Sequence, residues 1–157
     1  MNVALERLAA EVDLGHPSRD ALRLAFGYAC AARVEHLLED PLVIACLNRL
    51  REHVTGTVPA DLAVLAEEAA QLANHHQGSK SIDGCGHAAV SATYAVANAT
   101  AGKALEAASY AAYAIVYAQG GYAAVAERVS FAPEFTWQCE RLSSLASMPL
   151  TPREAAT

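Results

Sequence analysis

One alanine-rich stretch, residues 86–119, constrains the fold of this chain more than any other feature. Alanine recurs there at nearly every second or third position, and the stretch contains no proline. Alanine is the best helix former because it loses no side-chain entropy when a helix orders. The stretch therefore predicts two helices, over residues 86–101 and 103–119, with a break at Gly102. Because alanine faces let helix axes approach closely, we expect a tight hairpin.

The larger side chains of this hairpin follow helical spacing. Side chains three and four residues apart lie on one face of a helix. The first helix carries a polar stripe formed by His87, Ser91, Tyr94 and Asn98. The second helix carries a stripe that begins with charged residues and continues with tyrosines, formed by Lys103, Glu106, Tyr110, Tyr113 and Tyr117. The spacing places each stripe on a single helical face.

The rest of the chain predicts an all-α fold. Alanine makes up about a quarter of the 157 residues, aromatic residues only 6%, and no run alternates like a strand. We expect a compact bundle of six to eight helices around the Ala/Tyr-rich central hairpin, as one domain over residues 1–147 with a flexible tail over 148–157. Outside the hairpin the pattern predicts helices over residues 2–13, 19–39, 41–54, 59–76, 122–129 and 134–145, with a turn at 130–133.

Charge and cysteine usage exclude several functional classes. The net charge of −6 and the absence of a Lys/Arg cluster argue against nucleic-acid binding. An acidic surface suits a basic protein partner, although the same charge also serves simple solubility. The uncharged residues 107–126 are mostly alanine with four tyrosines, which favours a buried or interfacial helix over a membrane span. The four cysteines are scattered and form no CxxC pair, and the sequence shows no signal peptide. This pattern predicts free thiols and a cytoplasmic location.

Motifs for catalysis and cofactors are missing. The sequence holds no P-loop, dinucleotide fingerprint, HExxH, EF-hand loop or paired ExxH motif, so we expect no cofactor. His75, His76, Cys85 and His87 flank a Gly-rich connection, but adjacent histidines on a helix point about 100° apart, and the spacing fits no standard zinc finger. We therefore expect no metal site.

An enzymatic interpretation rests on three residues of the polar stripe. His87, Ser91 and Tyr94 could act as base, nucleophile and acid. A serine one turn after the histidine on the same helix lacks the strained elbow that exposes a nucleophile. Hydrogen bonding within the helix, or packing against a neighbour, explains these residues better. The sequence leans against an enzyme without deciding the question.

The candidate binding residues are therefore the bulky members of both stripes, together with the single tryptophan. Tyrosines at such positions belong to a core or an interface more often than to catalytic machinery. A pocket between the stripes would favour small-molecule binding or a small enzyme, whereas exposed tyrosines would favour a partner or a homo-oligomer. Trp137 and Phe135 would most simply seal one end of the bundle. The candidate set is His87, Ser91, Tyr94, Glu106, Tyr110, Tyr113, Tyr117 and Trp137.

Four segments carry a family resemblance. They are GHAAVSATYAVANA (86–99), EAASYAAYA (106–114), Trp137-Gln138 ahead of Leu142, and CAARVEHLLEDP (30–41). Together they resemble the Ala-rich helical immunity protein family of bacterial polymorphic toxin systems. The resemblance implies an all-α protein that binds a cognate toxin made by the same cell and neutralises it by occlusion. Many members carry further histidines after the Gly-His pair, whereas here only His87 is kept.

Overall fold

The computed structural model describes residues 1–76 and 85–148. The Gly-rich connection over 77–84 and the expected tail, from residue 149 onward, lie outside the described residues. The described parts form a compact all-α bundle, as the sequence predicts. Its seven helices are α1 (Val3–Glu11), α2 (Asp20–Ala32), α3 (Pro41–Val54), α4 (Leu62–His75), α5 (Cys85–Thr100), α6 (Ala104–Val125) and α7 (Ala132–Ala146). Short 3-10 turns occupy Pro17–Arg19, Glu35–Leu37 and Arg128–Phe131.

The central hairpin is α5 and α6, which make the most extensive helix–helix contact among the described residues. Gly102 forms its turn in the left-handed region, with φ of 74°, which glycine adopts without a steric penalty. The Lys103 amide then donates to the Asn98 carbonyl at 2.9 Å and closes the end of α5. The predicted break at Gly102 is therefore confirmed.

The alanine faces of the hairpin point into the bundle. Almost every alanine of α5, and those of α6 up to Ala114, is buried. Helix α2 packs across both helices, so closely at Gly27 that a Cβ there would lie 3.3 Å from the Ala99 Cα. The largest fully buried side chains come from the surrounding helices: Phe26, Leu47, Leu50, Leu65 and Leu142. Small residues thus bring the helices together, while the bulky stripes of the hairpin face outward.

The first and last helices are joined by the side-chain amides of the partly buried Asn2 and the fully buried Gln138. The Asn2 side chain caps α1 by accepting from the Leu5 amide at 3.1 Å. Its Nδ2 donates to the Phe135 carbonyl and to Gln138 Oε1, both at 3.2 Å. The fully buried Gln138 in turn donates to the Ala108 carbonyl of α6 at 2.8 Å. Every polar group of this pair has a partner, as burial requires.

Four boundary predictions are wrong. The separate helix expected over residues 122–129 is instead the last turn of α6 beyond the kink at Gly121, and it ends at Val125. The second helix ends at Ala32 instead of residue 39, because Val34 turns fully into the core and Arg33 pairs with Glu134 of α7. The fourth helix begins at Leu62 instead of residue 59, because the Asp61 side chain caps it at the Val64 amide. Residues expected to form a turn at 130–133 instead run from the 3-10 segment directly into α7, whose first turn accommodates a proline.

Helix α6 includes residues 107–125 of the uncharged stretch, and a kink at Gly121 interrupts the helix. Within the two described ranges, none of the helices combines the length and apolarity that a membrane crossing needs.

Candidate functional site

The two stripes predicted on the hairpin lie side by side and join through their rings. His87 stacks on Tyr117 with ring centroids 5.4 Å apart, and Tyr94 stacks on Tyr110 at 5.2 Å. Both pairs fit one antiparallel register, because His87 and Tyr94 are seven residues apart on α5 and Tyr110 and Tyr117 are seven residues apart on α6. We call this surface the aromatic ladder, formed by His87, Tyr94, Tyr110, Tyr113, Tyr117 and Tyr122.

The middle of the ladder holds one ring instead of two. The register that pairs the two stacks places Ser91 of α5 opposite Tyr113 of α6. Tyr113 contacts Phe131 edge-on at 5.2 Å and Tyr117 at 6.3 Å. Ser91, which is partly buried, is the smallest side chain of its stripe. The ladder therefore consists of two ring stacks and, between them, a position with the Tyr113 ring on the α6 side and the small Ser91 side chain on the α5 side. We call this position the Ser91 rung.

Tyr122 joins the ladder because the backbone kinks just before it. In a continuous helix, residues five apart point about 140° away from each other. Gly121 has φ of 61° and ψ of −149°, a region essentially restricted to glycine. The kink directs the Tyr122 ring edge-on toward His87 at 5.2 Å and Tyr117 at 5.9 Å. Sequence reasoning missed Tyr122; the Gly120-Gly121 pair was the signal that the chain changes direction there.

The ladder faces solvent. Tyr110 and Tyr113 are each 38% exposed, Tyr122 is 51% exposed, and His87 is also exposed. Tyr94 is partly buried and donates from its hydroxyl to Asn74 Oδ1 of α4 at 3.2 Å. Five of the six tyrosines of the chain thus gather on one outward face. These rings are surface groups fixed by one another, in contrast to the aliphatic and alanine core behind them.

Trp137 belongs to a different cluster, between α2 and α7. The Arg33 guanidinium lies 4.0 Å from the centre of the Trp137 ring. The same guanidinium forms a two-pronged ion pair with Glu134, with N–O distances of 2.9 and 2.7 Å. Glu134 is only 3% exposed, so this pair neutralises a buried carboxylate. The structure therefore gives Trp137 a packing role that fixes the end of α2 against α7.

Glu106 lies at the end of the hairpin, on the rim of an open groove of about 470 Å³. Apolar side chains of Ala9, Leu14 and Ala104 line the groove, and Lys103 lies beside Glu106. This groove differs in position from the pocket that the sequence suggested between the two stripes. The rings of the His87–Tyr117 and Tyr94–Tyr110 pairs contact each other across the two stripes.

The thiols and the helix-end histidines are the remaining candidates for chemistry. Burial, followed by the neighbouring Glu134 charge, raises the pKa of the Cys30 thiol far above its usual value. Burial also raises the pKa of Cys46 and of Cys139. His75 Nδ1 lies 2.6 Å from the Gln71 carbonyl, whereas His76 lies 3.9 Å from a Glu39 oxygen; the Cys85 side chain lies outside the description. Within residues 1–76 and 85–148, no three His, Cys, Asp or Glu side chains converge as metal ligands would.

Comparison of the chain with protein-family models, with curated proteins and with solved structures finds no match. The function is therefore inferred from the residues of the chain and their arrangement.

Proposed function

We propose that this protein is a non-catalytic binding module that neutralises a partner protein, a toxin made by the same bacterial cell, by covering the toxin's active surface. The contact surface would be the aromatic ladder. The observation that supports this proposal most directly is the gathering of five of the six tyrosines, with His87, on the outward face of the hairpin.

The chemistry of the ladder suits protein recognition. Tyrosine combines a large apolar surface with a hydroxyl, and exposed aromatic patches mark interaction sites. The ladder rings already hold one another at centroid distances of 5.2 to 6.3 Å. Because those rings are partly ordered before a partner arrives, binding costs less side-chain entropy than it would for isolated tyrosines. The alanine-packed hairpin behind them supplies a rigid support.

Charge supports a basic partner. The chain carries a net charge of −6, and complementary charge speeds the encounter of two proteins and selects between partners. The resemblance to the immunity protein family implies that the partner is a toxin. Occlusion needs only a fitted surface, and so it is consistent with the absence of catalytic motifs from the sequence.

The test is toxin neutralisation in cells. Affinity capture from the native host, followed by mass spectrometry, identifies the bound protein, and that protein is then expressed alone and together with this chain. We expect the captured protein to be encoded beside this gene, to arrest growth when expressed alone, and to be silenced by co-expression. The double variant Tyr110→Ser/Tyr117→Ser should lose this protection.

A matched control is available on another face of the bundle. Leu42 on α3 is 59% exposed and Val64 on α4 is 57% exposed, and neither belongs to the ladder. The variant Leu42→Ser/Val64→Ser should protect as well as the wild type. Capture of no toxin, or full protection by the ladder variant, would refute the proposal.

A further inference from the structure

Two aromatic rings outside the ladder carry guanidinium groups of the same chain. Arg33 lies over Trp137, and the Arg51 guanidinium lies 5.8 Å from the centre of the Tyr28 ring while also donating to its hydroxyl. In the described parts of the chain, both cation–π contacts lie outside the ladder. The face of an aromatic ring is electronegative and attracts ammonium and guanidinium groups. Among residues 1–76 and 85–148, no guanidinium or ammonium group lies over a ring of the ladder, whose tyrosines Tyr110, Tyr113 and Tyr122 are exposed.

The Ser91 rung lies between the two ring stacks along the helix axis. His87 and Tyr94 are seven residues apart, which is about 10 Å along a helix axis. Ser91 is four residues from His87 and three from Tyr94, so its Cα lies about 6 Å and about 4.5 Å from theirs along the axis. Cation–π attraction operates within about 6 Å of a ring centroid. The small serine side chain leaves the α5 side of this rung without a ring of its own.

We propose that the Ser91 rung of the aromatic ladder receives an arginine or lysine side chain from a basic partner protein. This inference rests on the proposed function and adds the chemistry that the partner must present. The net charge of −6 favours a positively charged group on the partner. A second copy of this acidic chain would be electrostatically disfavoured on the same surface.

The probe is a tetra-arginine peptide, compared with the uncharged tetra-citrulline peptide of nearly the same shape. Each peptide is titrated into the full chain carrying ¹³C-labelled tyrosine and histidine rings, observed by NMR. We expect the arginine peptide to shift the rings of His87, Tyr94, Tyr110 and Tyr117, and the citrulline peptide to leave them unchanged at equal concentration.

Variants that preserve charge separate ring recognition from general attraction to an acidic protein. Tyr94→Leu and Tyr110→Leu should each weaken arginine-peptide binding about two- to fivefold, as expected for one exposed cation–π contact. Tyr110→Phe keeps the ring and should bind within twofold of wild type, which guards against misfolding of the leucine variants. Ser91→Leu should weaken binding by filling the rung, and the control Leu42→Ala should not.

Equal ring shifts with both peptides, or leucine variants that bind the arginine peptide as tightly as the wild type, would overturn the inference. If the ladder nevertheless captures and silences a toxin, the proposed function stands and only the cation preference fails. If the arginine peptide binds at the ladder but no toxin is captured, the cation preference stands and the proposed function fails. Sedimentation that shows the wild type dimerising through its ladder tyrosines would assign the surface to a second copy and also overturn the inference.

Discussion

Replacing Gly121 with alanine should destabilise the protein by about 1–3 kcal/mol, by either of two routes. If the kink is kept, alanine must adopt a backbone region essentially restricted to glycine, which costs about 1–3 kcal/mol. If the helix straightens instead, Tyr122 turns away and loses its contacts with His87 and Tyr117. Two aromatic contacts at about 0.5–1.5 kcal/mol each amount to about the same loss.

Chemical denaturation followed by circular dichroism measures this difference, and NMR of the ring resonances shows which route the chain takes. For a protein of this size, about 1–3 kcal/mol lowers the melting temperature by about 2–12 °C. Gly15→Ala is the matched control, because Gly15 has no positive φ and an added Cβ there meets nothing within 4 Å. It should change stability by no more than about 0.5 kcal/mol.

The reasoning about the kink would be refuted if Gly121→Ala had the same denaturation midpoint as the wild type and kept the Tyr122 ring contacts. It would also fail if Gly15→Ala were equally destabilising, because the loss would then reflect glycine replacement in general.

Three further perturbations test the packing of the bundle. Arg33→Ala leaves the buried Glu134 carboxylate without its partner and should lower the free energy of unfolding, measured by denaturant titration, by about 3 kcal/mol. Arg49→Ala removes an exposed ion pair and should lower it by less than about 1 kcal/mol. Equal losses in the two variants would contradict this assignment. Burial raises the pKa of the Cys30 thiol, so the unfolded chain loses this proton at a lower pH than the folded chain does. The free energy of unfolding should therefore fall above about pH 8.5, by up to about 1.4 kcal/mol per pH unit. The variant Cys30→Ala should show a flatter dependence on pH. Asn2→Ala removes the cap of α1 and its contacts with α7, and should lower the unfolding free energy by about 1 kcal/mol or more; an unchanged melting temperature would argue against this junction.

Local chemistry made most of the helices predictable. Alanine richness and the glycine at residue 102 specify the hairpin without reference to the rest of the chain. The pair Asp40-Pro41 marks the start of α3, where the aspartate accepts from the Leu42 amide at 2.9 Å and the proline occupies the first turn. Such signals act within one turn of helix, and so they can be read from the sequence.

The early end of α2 has a tertiary cause, unlike the start of α4, which the local cap at Asp61 sets. Nothing near Ala32 in the sequence demands a helix end, because the residues that follow are good helix formers. The helix stops because Val34 enters the core and Arg33 reaches Glu134, which lies about a hundred residues later. The contribution of Tyr122 to the ladder likewise depends on a kink whose direction no local pattern specifies.

The sequence by itself determined which side chains could form a recognition surface, because helical spacing alone assigns His87, Tyr94, Tyr110, Tyr113 and Tyr117 to single faces of two helices. Only the tertiary structure decided that these two faces join in one register, that Tyr122 completes the surface, and that Trp137 stays apart from it. The physical reason is the distance over which each interaction acts. Sequence periodicity identifies side chains that are neighbours within one helix. The rotation of one helix against another is set by the packing of buried alanines across the whole bundle.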